Sequence, residues 1–327
     1  MPEDDLPVPA PGTPPAPAPS GGPAGSWPYR GLYDRVIDAI YALPGLFKTS
    51  LNIVGIRATD LHTLSGALGA SIEKSAVESL NDLRAIWDPE GAHQLYSFVR
   101  QAQAWPDVLL RTEAPGQHPQ IIMGIELKGW FVLAKEGEPS FRYKVSPGVC
   151  ADADLLVVLP WILDEVVSGT PKLLKPFVAE ARHAAEVRNH YWRYLRRTRG
   201  AEAELTPAAY QQTYPPRGAK FLDVPRSDRG GNFGRVARGG LMTQFIAEVM
   251  AAPAAGIPIA AWQQFLAVFT ERFDEASLRA ELGAIEQTYA ADMLGQSELK
   301  AAFEQLSEAL IRIAKAAEHE VDESGPS

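Results

Sequence analysis

Three side chains with complementary chemistry stand close together where the chain turns strand-like. Pro106-Asp107 opens one apolar run, and Glu126-Leu127-Lys128 lies inside the next. Successive side chains leave opposite faces of a strand, so Glu126 and Lys128 project together while Ile125 and Leu127 enter the other layer. A hairpin through the turn-rich TEAPGQHP segment brings Asp107 beside them. Two carboxylates offer the hard oxygen donors that one or two Mg2+ ions prefer. Such an ion polarises a phosphate and lowers the pKa of a bound water. Lys128 is then placed to orient that water and favour its deprotonation, and the Leu127 carbonyl can add a further ligand. The set suits metal-assisted hydrolysis of a phosphodiester. An edge-strand Glu–Lys pair with a strand-capping Asp would present the same residues.

These residues need a sheet to hold them and helices to cover it. Trp105 to Arg111 reads as a short strand, Gln120 to Leu133 as a longer one, and Ala153 to Leu159 as a strand apolar enough to be buried on both faces. Upstream, apolar residues at helical spacing predict a helix over 29–47, ended by Pro44 and Gly45. A second begins near Thr59 or Asp60, with a stripe of Leu64, Leu68, Ile72, Val77, Leu80, Leu83 and Ile86. Downstream, a helix is expected over 171–199, with Thr170 as N-cap and Pro171 in its first turn. Further helices follow over 241–250, 257–272 and 275–318. The sum is an α/β fold, a small mixed sheet flanked by helices with extra C-terminal helices. Residues 1–28, rich in Pro, Ala and Gly, are expected to form a disordered tail. Residues 29–240 are expected to form one domain, catalytic and DNA-binding on the readings below, and 241–320 a helical region for dimerisation or DNA clamping.

On Pro106-Asp107 and Glu126-Leu127-Lys128 the chain resembles the PD-(D/E)XK nuclease superfamily, and among its members the type II restriction endonucleases. The resemblance implies a restriction-endonuclease-like core in which Asp107 and Glu126 bind Mg2+ and Lys128 acts on the nucleophilic water. The helical segment GALGASIEKSAVESLN resembles the helix that precedes the catalytic hairpin in many restriction enzymes. There a glutamate assists the metal; Glu73 is the match and Glu78 the second candidate. The family also implies cleavage of double-stranded DNA at a short site, a homodimer matching a palindrome, and a cognate DNA methyltransferase as system partner. Alternatives are a structure-specific repair or recombination nuclease of the same fold, a catalytically inactive DNA-binding protein, and a helical interaction protein.

The charge distribution accommodates a nucleic acid. The chain of 327 residues carries a formal net charge of -9. Between Arg182 and Arg238, however, twelve basic side chains face five carboxylates, and phosphate contacts are local. The stretch from Phe221 to Arg238 resembles, in its GGNFGR run, segments of type II restriction enzymes. Its glycines allow close backbone approach and its arginines reach phosphates or guanine. DNA contacts are assigned to Lys220, Arg226, Arg229, Asn232, Arg235 and Arg238. Arg182, Arg193, Arg196 and Arg197 either line the DNA cleft or face solvent, and His118 is the histidine placed nearest DNA. The single cysteine, Cys150, excludes an internal disulfide and a cysteine-based zinc cluster. No phosphate-cradling glycine loop follows a strand. The most apolar stretch, 153–163, is too short to span a bilayer and is interrupted by Asp154 and Pro160. With an acidic start and no apolar leader, a soluble cytoplasmic protein is expected.

Overall fold

A computed structural model of the chain describes residues 12–54, 64–101, 104–113, 118–134, 136–196, 203–228 and 232–268, with isolated helical positions between 283 and 312. The apolar runs pair into one six-stranded sheet. Strands β1 (Tyr96–Arg100), β2 (Val108–Thr112) and β3 (Ile121–Phe131) form an antiparallel meander, and β3 pairs in parallel with β4 (Leu155–Leu163). Opposed pairs Val108↔Ile125 and Leu127↔Val157 fix the register. All of β4 is buried, which explains its unbroken apolar sequence.

The far edge of β4 is shared between two short antiparallel strands, β5 (Pro171–Leu173) against its end and β6 (Phe177–Glu180) against its start. Pro160 falls between them. Its carbonyl accepts from the Leu174 amide on that edge. A strand residue presents its N–H and C=O to the same side, so the donor that proline lacks would point into the gap, where no ladder bond is lost.

Here the structure corrects the helix expected over 171–199. Thr170 is no N-cap; it bonds back to Asp164, and the chain reverses through Val166 (φ 69°) and Gly169 (φ 94°) to enter β5. Pro176 could not continue a helix, and the open edge of β4 takes both flanking segments as strands. The helix, α4 (Ala181–His190), starts only afterwards and ends in one π-helical turn, Tyr191–Leu195.

Helices α1 (Arg30–Leu46), α2 (Leu64–Asp82) and the short α3 (Arg84–Trp87) pack together, with α2 across β1 and β3. Leu32, Val36, Ile40 and Leu43 of α1 join Ile72, Ala76 and Leu80 of α2 in the core. Each large aliphatic among them contributes roughly 1.5–3 kcal/mol by burial. α1 runs through Pro44 instead of stopping there.

The segment 12–28, expected as a disordered tail, lies on the domain. Backbone amides of Ser20, Gly21 and Gly22 all donate to the Glu180 carboxylate, as does the Ser20 hydroxyl. Gly21 (φ 84°) and Gly22 (φ 79°) turn successive N–H groups inward, an anion-binding nest that low hydrophobicity does not preclude.

Beyond the sheet, a two-stranded ladder joins β7 (Leu205–Thr206) to β8 (Val224–Pro225). Then follow α5 (Thr243–Ala251), the small hairpin β9 (Pro253–Ala254) and β10 (Ile257–Pro258), and α6 (Ile259–Val268). Phe265 and Leu266, in the region expected to serve dimerisation or DNA clamping, are buried in the chain's own interior. Most of the helix expected over 275–318 lies outside the described residues. The architecture is mixed α/β, and no described helix is long and apolar enough to cross a membrane.

Candidate functional site

The site forms where β2 begins and β3 runs on past it, paired only with β4 on its other side. β2 pairs with β3 only as far as Val108↔Ile125, so the next amides on that edge of β3, Leu127 and Gly129, have no strand partner there. Two carboxylates supply the missing acceptors. Asp107, immediately before β2, takes the Leu127 N–H on Oδ2 at 3.1 Å, and Glu73 of α2 takes the Gly129 N–H on Oε1 at 3.3 Å. Lys128 turns its ammonium to Asp107 Oδ2 at 3.0 Å and Glu126 Oε1 at 2.8 Å. The sequence-predicted Asp107, Glu126, Lys128 and Glu73 are thus brought together. Glu78 is not among them; it pairs with Lys74 on the exposed side of α2.

Asp107 is held from behind. Gln101 donates its backbone N–H to the Asp107 carbonyl and its side-chain amide N–H to the Pro106 carbonyl. Pro106 sits directly over Gly124, where any Cβ would overlap the proline ring and come 2.9 Å from Asp154 Oδ1. Asp154, fully buried, accepts from the amides of Gly124 and Ala151 and from the Tyr214 hydroxyl. Its pKa is nonetheless pushed up to about 6 by that burial. Asp154 is a structural carboxylate that ties β3, the start of β4 and the 203–228 region together.

Burial, reinforced by the charge of Asp107, pushes the Glu126 carboxyl up to about 8 against the opposing pull of Lys128. Burial raises Glu73 as well, again opposed by Lys128. The Lys128 ammonium loses solvation, but the charges of Glu126 and Asp107 outweigh that loss and hold its pKa above the ordinary lysine value. With both carboxylates turned on it, Lys128 is held in its charged form.

Protein-family models, curated proteins and solved structures were each compared with the chain, and none matches.

A divalent ion would need the oxygen donors now gathered on the ammonium. Asp107 and Glu126 meet the chemistry that Mg2+ asks for. Leu127, expected to offer its carbonyl, enters by its N–H, with the carbonyl facing the same edge. Among the described residues no three His, Cys, Asp or Glu side chains stand close enough to form a ligand cluster. The fit is thus two carboxylates with Lys128 between them, and a bound cation would take over the ammonium's partners.

Asp107 and Glu126 open into a cleft of about 230 Å³ lined also by Arg142, Lys144, Phe221 and Leu222. Arg142 and Lys144 were not singled out from the sequence. Their signal is the alternation Phe141-Arg142-Tyr143-Lys144-Val145, with Tyr143 and Val145 buried and the two cations facing outward.

The predicted DNA-contacting residues are arranged differently. Arg235 stands 3.8 Å from both Glu136 and Glu138, and Arg238 is 2.9 Å from Glu138. Arg226 pairs with Glu204 at 2.8 Å. Asn232 and Lys220 are exposed, and Arg229 lies outside the described residues. Neither Arg182 nor Arg193 lines the cleft; Arg182 binds Asp152 and the Cys150 carbonyl. His118 is exposed.

In the 221–238 stretch, read as a DNA-facing loop, the described residues on either side of 229–231 pack against the cleft wall. Phe233 is fully buried against Trp192 and beneath the Lys144 and Arg188 cations. Gly234 (φ 95°) approaches so closely that its carbonyl accepts from Tyr143. Arg188, 2% exposed, is held by Asp223 at 2.7 Å and by the carbonyls of Tyr143 and Val145.

Proposed function

We propose that the chain is a Mg2+-dependent endonuclease of the PD-(D/E)XK kind, acting on double-stranded DNA. The observation that carries this is the meeting of Asp107, Glu126 and Lys128 at the free edge of β3, in a cleft that also bears cations. Asp107 and Glu126 hold the metal, with the Leu127 carbonyl available on the same edge. A bound ion supplies Lewis acidity toward a phosphate oxygen and a water of lowered pKa. Lys128 orients the attacking water and stabilises negative charge developing on the phosphate. Glu73, hydrogen-bonded to Gly129, fixes the strand edge and contributes negative charge toward the metal.

The finer reading is a type II restriction endonuclease, cytoplasmic and homodimeric, whose host carries a methyltransferase for the same site. It rests on the resemblance of the catalytic residues.

The test is incubation with phage-length duplex DNA in Mg2+ and in EDTA, comparing wild type with Asp107→Asn and Lys128→Ala. Discrete fragments that need Mg2+ and vanish in both variants support a site-specific nuclease. Smearing supports a nuclease guided by structure. Tight binding without cleavage supports an inactive DNA-binding protein, and absence of both binding and cleavage refutes the proposal.

A further inference from the structure

An anionic polymer entering a cleft that holds Asp107, Glu126 and nearby Glu73 meets repulsion that Lys128 alone only partly offsets. Cations on the same cleft are needed to bring a phosphate to it. Arg142 and Lys144 line that cleft, and both reach a single carboxylate, Asp228 Oδ2, at 3.5 and 3.3 Å. These are long, solvent-touched pairs, and such pairs contribute little to stability.

Other arginines of the basic middle region are engaged more firmly. Arg188 is buried on Asp223, and Arg238 sits 2.9 Å from Glu138. Asp228 itself is anchored, because its Oδ1 accepts the Phe233 N–H at 3.0 Å. The loosely held partners are therefore the cations.

We infer that Arg142 and Lys144 form a binding pair for the nucleic-acid backbone beside the catalytic carboxylates, with Asp228 as the internal counterion that a phosphate displaces. This rests on the nuclease reading. One carboxylate shared between two cations leaves net positive charge for an incoming anion. Charge-assisted bonds to phosphate oxygens are shorter and stronger than the pairs they replace, and the guanidinium of Arg142 can grip two oxygens at once. Phe221 and Leu222 at the same cleft lower the local dielectric and strengthen each contact. Asp228, with Phe233 and Gly234 packed behind it, then acts as a brace and charge reservoir for this wall.

The experiment measures binding of a short fluorescent DNA duplex by the full chain, in EDTA, across a range of salt. Arg142→Gln and Lys144→Gln are each expected to weaken low-salt binding about tenfold. Each should also flatten the dependence of log K on log salt by about 0.9, one phosphate contact. Asp228→Asn keeps the oxygen that accepts from Phe233 and removes only the charge, so it is expected to tighten binding several-fold. Thermal melting guards against misfolding of the Lys144 variant, and the more exposed Arg142 carries the test by itself.

Unchanged affinity and slope in the two glutamine variants would overturn the inference, as would weaker binding by Asp228→Asn or no duplex binding by wild type. Cleavage assayed separately in Mg2+ keeps the two readings apart. Binding that depends on Arg142 and Lys144 in a wild type that cuts nothing retains the pair and removes the nuclease. Cutting by a protein whose binding ignores the pair does the reverse.

Discussion

Replacing Glu126 by glutamine would separate what the carboxylate cluster costs the fold from what it provides. Burial and the neighbouring Asp107 charge raise the Glu126 carboxyl from an ordinary 4.5 to about 8, even with Lys128 at hand. A carboxyl raised in this way leaves stability intact below its unfolded value, and stability is then lost as pH climbs through the folded value. The loss therefore runs from about pH 4.5 to about pH 8. At about 1.4 kcal/mol per pH unit, its ceiling is on the order of 4–5 kcal/mol. Glutamine keeps the shape and cannot ionise. Lys128 is not orphaned, because Asp107 Oδ2 remains 3.0 Å away. In EDTA, Glu126→Gln should match wild type near pH 4.5 and exceed it by about 1–3 kcal/mol at about pH 8–9. Each kcal/mol corresponds to a melting temperature about 2–4 °C higher for a domain of this size. The same variant should be inactive in Mg2+. Urea denaturation across pH is the assay. A Glu126→Gln protein less stable than wild type at alkaline pH, or one whose advantage ignores pH, would refute the reasoning.

Other perturbations test the supports. Gly124→Ala forces Pro106 off the strand and should lower both stability and cleavage, read as a shifted urea midpoint and a reduced rate, since Asp107 follows Pro106 directly. Asp223→Ala strands the buried Arg188 guanidinium and should cost about 3–5 kcal/mol in denaturant titrations. Gly234→Ala combines a φ of 95° with a Cβ 3.0 Å from Lys144; it should destabilise the fold by at least about 1 kcal/mol and weaken DNA binding. Partial burial works to raise Glu180, but the hydroxyl and amide bonds from Ser20, Gly21 and Gly22 outweigh it and hold the carboxyl below its ordinary value. Glu180→Gln, or acid that protonates this carboxylate, should therefore release residues 12–22 to limited proteolysis while leaving the sheet intact.

The strands that carry the chemistry were legible because their signal is local. Alternation around Glu126 and Lys128 tells which side chains share a face, and the continuous apolar run of β4 reports its burial. The meeting of Asp107 with that pair followed from one short hairpin. What escaped depends on distant partners. Lys172-Leu173 and Phe177-Val178 become strands because β4 has an edge to fill, although Pro176 already argued against a helix there. Phe233 reads as part of a polar loop until Trp192 and Lys144, far away in sequence, close around it. β1 was overlooked although Tyr96-Ser97-Phe98-Val99-Arg100 buries only Phe98 deeply; its pairing with β2 defines it. Arg142 and Lys144 carried a period-two signal too short to stand out from a connecting segment.

The arrangement beside the start of β2 has a further consequence for the choice of variants. Asp107 and Glu73 occupy the amides of Leu127 and Gly129, the donors that an extended foreign segment would otherwise find open. An unprotected strand edge recruits other chains. Alanine at both positions would thus leave a protein prone to self-association by strand addition. Asparagine and glutamine, which keep an acceptor in place, are the substitutions to choose for capturing an uncut DNA complex.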